Sequence, residues 1–177
     1  MLDFDPSTGK LIAKKTWQGY TDSSCWARGQ AWAIYGFTMA YRYTHNKEYL
    51  LYAKKAANYF IDQINKIDDH IPYWDFNDTA IPNTQRDVSA ASIAASALLE
   101  LSEFDPATKK TYYNAAVEIL RSLCSDAYLA TPGTNHDFLL QHGVVNKPGG
   151  KGVDVPIIYA DYYFLQALWL YQHYSKI

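Results

Sequence analysis

Residues 24–32 read SCWARGQAW, and the arginine in this stretch decides how the rest of the chain is read. Trp26, Arg28 and Trp32 fall at helical spacing in a segment from about Cys25 to Tyr43 that is apolar around most of its circumference. A helix with that pattern is an inner one, covered on most sides by other helices. A guanidinium placed there is either paired with an acid or turned toward a ligand, because a dry, unpartnered charge costs far too much.

The neighbouring segments repeat the theme. A second helix near Lys47–Asn65 puts Leu50, Ala53, Ala57, Phe60, Ile61 and Ile64 on one face and Lys54, Lys55, Asn58 and Asp62 elsewhere, the pattern of an outer helix. A third follows Asp87, a good N-cap, through VSAASIAASALLELSEF, whose Ala and Ser content allows close helix approach. A fourth opens with DPATKK and carries Tyr112, Ala116, Ile119, Leu120 and Leu123 on one stripe, with Pro106 suited to a first turn. The fifth, ADYYFLQALWLYQHY, is again apolar nearly all round. GKLIAKKTW and GVVN are the only extended pieces suggested.

Inner-type helices therefore begin near 25, 88 and 161, after Asp22, after Asp87 and on Asp161, with outer-type helices between them. This spacing predicts an all-α fold of αα hairpins stacked as a toroid. A closed ring of inner helices needs roughly twice this length, so residues 1–177 are expected to form one domain that is about half of a toroid. Its exposed edges predict a homo-oligomer. Long loops at 66–86 and 128–158 join the hairpins, and long structured loops in compact domains commonly carry function.

Composition excludes several classes. Sixteen Lys and Arg against 18 Asp and Glu give a net charge of −2 and no basic patch, so no nucleic-acid partner is expected. Hydrophobic residues at 49% exclude disorder. No apolar run reaches the length of a membrane span, and MLDFDPSTGK has none of the build of a secretory signal; a cytoplasmic location is expected, with a periplasmic one as the alternative. Cys25 and Cys124 read as buried free thiols, and no residues have metal-ligand or phosphate-loop spacing, so neither metal nor cofactor is expected. Aromatics reach 16%, with 16 Tyr and 5 Trp; such a surplus suits stacking on sugar rings, and a Tyr-rich core equally.

TWQGYTDSSCWARGQAWAIYGFTMAYRYT resembles the unsaturated glucuronyl hydrolases of glycoside hydrolase family 88, and so do IPYWDFND, RDVSAASIAASALLEL and IYADYYFLQAL. These matches cover nearly all of the chain in the order found in the C-terminal half of that family. The related unsaturated rhamnogalacturonyl hydrolases of family 105 read closer to WARGNGW and are the alternative. The resemblance implies an (α/α)6 toroid with the active site in its mouth. It implies release of a Δ4,5-unsaturated uronic acid from lyase-generated oligosaccharides by hydration of a vinyl ether, with one aspartate as general acid and base and a second tuning it. By family pattern both aspartates are expected upstream of Met1. A non-catalytic sugar-binding or helical interaction module is the rival from another class.

On this resemblance Arg28 grips the uronate carboxylate through two parallel hydrogen bonds; the other reading pairs it with Asp22 or another loop carboxylate. Gln18 reaches the substrate or the attacking water. Trp32 stacks on a sugar face or belongs to the core. Trp26 packs, and Gln30 is expected to bond between inner helices. Asp87 reads foremost as an N-cap; were the chain complete, Asp87 and Asp75 would be the carboxylate pair to test, although DFND is rich in turn formers. His142 and Tyr159 sit in or beside the loop that the family places over the mouth. KPGGKG (147–152) reads as a flexible turn.

Overall fold

The computed structural model describes residues 2–174. Five α-helices carry it: α1 (Ala27–Thr44), α2 (Lys47–Ile64), α3 (Val88–Ser102), α4 (Lys109–Leu123) and α5 (Ile158–Tyr174). Two small antiparallel hairpins accompany them, β1 (Leu2–Phe4) with β2 (Leu11–Lys14), and β3 (Gly143–Asn146) with β4 (Lys151–Val155). GKLIAKKTW and GVVN each hold one strand; the alternation in their partners, LDF in β1 and VDV in β4, is too short to announce them.

Local chemistry sets several helix boundaries. The α1–α2 turn is made by His45, left-handed at φ 55°, whose N–H returns to Tyr41 O, and by Asn46, whose side chain accepts from Glu48 N at 2.9 Å. Asp87 caps α3 by accepting from Ser89 N. The three aspartates do not act alike, however. Asp22 accepts from Thr16 N at 2.8 Å in the loop before α1, whose own N-cap, Trp26, has no side-chain cap bond. Asp161 lies in the first turn of α5 and accepts from Leu139 N and Leu140 N, tying the 128–157 loop to that helix.

Helix α3 is the centre of the arc. All of its residues from Val88 to Ser102 are buried, with α1 on one side, α5 on the other and α4 also packed against it. Its Ala and Ser side chains let the neighbours come so close that their aromatics meet across it: Trp32 and Tyr35 of α1 each lie 5.1 Å from Tyr163 of α5, edge to face. Helices α1, α3 and α5 are thus adjacent inner helices, α2 backs α1, and the chain forms an arc of an α/α toroid.

Three side chains depart from expectation. Gln30 donates from Nε2 to Ala56 O on α2, so it ties inner helix to outer helix, not inner to inner. Cys124 is exposed; Cys25 is half-buried and burial pushes its thiol up, which keeps it protonated near neutrality.

Candidate functional site

The loops that precede α1, α3 and α5 converge at one end of the arc, and Arg28 is the point on which they meet. It is 3% exposed. Nη1 donates to Asp87 Oδ2 at 3.0 Å, to Ser89 Oγ at 3.1 Å and to Val144 O, while Nη2 donates to Val145 O at 2.6 Å. The ring of Trp26 lies 4.6 Å from the guanidinium carbon and that of Tyr159 lies 5.4 Å away. Of the two sequence readings, this geometry is the buried pair, with Asp87 as its acid and not Asp22. The contacts bind the start of α1, the start of α3, the start of α5 and strand β3 into one body.

Asp87 is both cap and counter-ion. Besides Arg28 and Ser89 N it accepts from Ser89 Oγ at 2.6 Å and from Val144 N at 3.4 Å. Burial pushes its carboxyl up, while the Arg28 charge and the Ser89 bonds pull the other way. Asp75 is equally enclosed: it accepts from Tyr20 N at 2.9 Å, Ser24 Oγ at 2.7 Å and Asn77 N at 2.9 Å. Among the described residues the two carboxylates share no hydrogen-bond partner, and each is sealed under its own donors.

Gln18 and Arg28 are linked through a single carbonyl. Gln18 Nε2 donates to Val145 O at 2.7 Å, the same oxygen that receives Arg28 Nη2. Among the described residues, Gln18 Oε1 takes no other hydrogen bond and is available as an acceptor. One turn below Arg28, Trp32 keeps 36% of its surface exposed while its edge packs on Tyr163. Tyr159 is half-buried beside the guanidinium. Gln18 and Tyr159 therefore meet around Arg28, and Trp32 lies one turn further along α1.

His142 belongs elsewhere. Its ring pairs through Nδ1 with Asp154 Oδ1 at 2.6 Å, and it lines a separate cleft of about 480 Å3 with Arg86, Tyr128 and Asp154. Arg86 bonds Ile71 O and Asp69 in that region, not its neighbour Asp87.

Three participants had no clear sequence signal. The carbonyls of Val144 and Val145 are invisible to any reading of side chains. Lys147 donates from Nζ to Asp78 Oδ2 at 3.1 Å and to Thr84 Oγ1, pinning the β3–β4 turn to the loop before α3. That turn lies in KPGGKG and is a defined hairpin turn: Gly150 has φ +62°, and Gly152, already in β4, has φ +59° and leaves no room for a Cβ, which would lie 2.7 Å from Val145 Cγ2. Asp78 also accepts from Trp74 Nε1 and Thr84 Oγ1, each at 2.6 Å. A lysine next to Pro-Gly-Gly was the one hint that the turn is anchored.

No protein-family model matches the chain. Among curated proteins it is 45% identical, over 95% of its length, to an unsaturated glucuronyl hydrolase of Formosa agariphila. It is 41% identical, over 93% of its length, to an unsaturated chondroitin disaccharide hydrolase of Streptococcus pneumoniae. The chain spans 42% of the length of each of these relatives. A crystal structure of an unsaturated glucuronyl hydrolase specific for heparin superposes with a TM-score of 0.94 at 41% identity, covering 99% of this chain and 47% of that one.

Proposed function

Because this chain belongs to the unsaturated glucuronyl hydrolase family, we propose that it forms the sugar-binding wall of a site that hydrates a Δ4,5-unsaturated uronic acid at the end of an oligosaccharide. In that reaction C4 of the vinyl ether takes a proton and water adds at C5. The resulting hemiketal opens, and the glycosidic bond breaks. The observation that carries the reading is that Gln18 and Tyr159 are gathered around Arg28, with the exposed ring of Trp32 one turn further along α1.

Each group has a part that suits its chemistry. The open face of Trp32 stacks on the apolar face of a sugar ring, and Tyr159 supplies a second aromatic edge. Gln18 accepts from a hydroxyl through Oε1 while Val145 O holds its amide in place. Arg28 acts as a positioning residue: by holding Val145 O it fixes the anchor of Gln18. Direct grip of the uronate by Arg28 would require the Val144 and Val145 carbonyls to leave first. Proton transfer is assigned to a carboxylate outside this wall, since Asp75 and Asp87 are both enclosed by their own donors.

Calorimetric titration of the chain with an unsaturated chondroitin disaccharide tests this, together with the vinyl absorbance of the same mixture. Binding without loss of absorbance is expected. Trp32→Ala and Gln18→Ala are each expected to weaken binding about tenfold, equal to about 1.4 kcal/mol. Rapid turnover by the chain alone would move the proton donor back inside it. Unchanged affinity in both variants would remove the wall.

A further inference from the structure

Helices α1 and α5 both pack on α3, and their side chains are joined over it in two rungs. Arg28 and Trp32 stand one turn apart on α1, as Tyr159 and Tyr163 do on α5. The first rung is Arg28 against Tyr159, 5.4 Å to the ring centroid. The second is Trp32 against Tyr163, with centroids 5.1 Å apart and ring planes at 76°. Tyr35 completes it, 6.3 Å from Trp32 at 81° and 5.1 Å from Tyr163 at 79°. Three rings that stand mutually perpendicular grip one another edge to face and resist rotation. Neither tyrosine lies parallel to the indole, so neither stacks over it.

The placement of Tyr163 is itself fixed from α3. Ser96 Oγ, almost wholly buried, donates to Gln166 Oε1 at 2.8 Å. Gln166 follows Tyr163 by three residues and shares its side of α5, so this bond sets the rotation that brings the phenol ring to α1. On its other flank Tyr163 meets Tyr162 at 4.9 Å and 84°. Burial, and after it the neighbouring phenols of Tyr35 and Tyr162, push the Tyr163 hydroxyl up to about 12. Near neutrality it is therefore an uncharged flat ring, suited to packing and not to proton transfer.

We infer that Tyr163 is a positioning residue for the sugar site, holding the indole of Trp32 from α5 at the angle at which a sugar ring meets it, with Tyr35 as the second support. An indole without such support turns about two side-chain torsions, and a ligand that stacks on it has to order it first. The inference rests on the reading of Trp32 as a stacking platform and adds the residue that aims it.

Calorimetric titration with the unsaturated chondroitin disaccharide tests it in four variants. Tyr163→Ala is expected to bind about fivefold more weakly than wild type, in keeping with the loss of one edge-to-face ring pair. Tyr163→Phe keeps the ring and should restore wild-type affinity. Trp32→Ala and Trp32→Ala/Tyr163→Ala should bind equally, because a residue that acts through Trp32 has nothing left to act on. Should Tyr163→Ala lose helical circular dichroism, Tyr163→Leu, which keeps apolar bulk without a flat ring, takes its place in both comparisons. A further loss in the double variant would make Tyr163 a direct sugar contact and overturn the inference. So would a Tyr163→Phe as weak as Tyr163→Ala, or a Tyr163→Ala that binds like wild type while Trp32→Ala does not. A Trp32→Ala that binds like wild type, or a wild type that binds nothing, overturns the stacking reading and this role with it.

Discussion

Arg28→Met is expected to destabilise the chain by about 3–5 kcal/mol, the usual consequence of leaving a buried charge without its partner. Asp87 is fully buried, and with the guanidinium gone its remaining donors are Ser89 N, Ser89 Oγ and Val144 N. The Val144 carbonyl loses its Arg28 donor at the same stroke, and the Val145 carbonyl keeps only Gln18 Nε2 of its two side-chain donors. Urea unfolding followed by circular dichroism measures the loss. The double variant Arg28→Met/Asp87→Asn should lose less than Arg28→Met alone, because it removes the stranded charge as well.

The pH dependence of this deficit follows from Asp87. Its carboxyl is already raised by burial, and removing Arg28 takes away the charge that lowers it. An acid whose folded pKa lies above its unfolded value, about 3.9, holds more protons when folded. Stability then rises as pH falls through the window between the two values. The gap between wild type and Arg28→Met should therefore narrow on acidification. A gap that stays constant or widens would mean that Asp87 is not the group left in trouble.

The same arginine shows how far the sequence can be read. Its need for a partner was plain from the apolar helix around it, yet the acid lies 59 residues away and the two carbonyls lie 116 and 117 residues away. Helix positions were recovered to within a few residues because their signals are local: Asn46 and Asp87 cap within two residues, and the apolar stripes of α2 and α4 need only a helical period. Strand β4 was missed because the alternation in KGVDV spans only Val153 to Val155, too few residues to stand out; its pairing with β3 defines it. Gln30 was sent to the wrong helix for a related reason, since sequence periodicity fixes the side of a helix and not what stands there. Asp78 was read with its neighbours as a turn. It is one, through Ala80 N at 2.9 Å, but the other oxygen holds a tryptophan, a threonine and a lysine from a distant hairpin.

That second oxygen carries the other large effect. Asp78→Ala is expected to cost about 3 kcal/mol, since hydrogen bonds to a charged acceptor contribute about 1.5–3 kcal/mol each and the losses overlap. The indole N–H of Trp74, a side chain almost wholly buried, would keep only Thr84 Oγ1 at 3.2 Å, and Lys147 would lose its counter-ion. Burial alone would raise the Asp78 carboxyl. The Thr84 hydroxyl, the Ala80 amide, the Trp74 indole and Lys147 outweigh burial and hold the carboxyl well below the usual carboxylate range. An acid whose folded pKa is depressed contributes stability that is present above the unfolded value, about 3.9, and is lost as pH falls below it. Wild type should thus lead Asp78→Ala at neutral pH and lose part of that lead in acid, the reverse of the Asp87 case only in its cause. Because Lys147 lies two residues beyond Val145, release of the β3–β4 turn should also loosen the carbonyl that anchors Gln18. The disaccharide should bind Asp78→Ala more weakly even where the variant is fully folded, and equal affinity would confine Asp78 to a purely local turn.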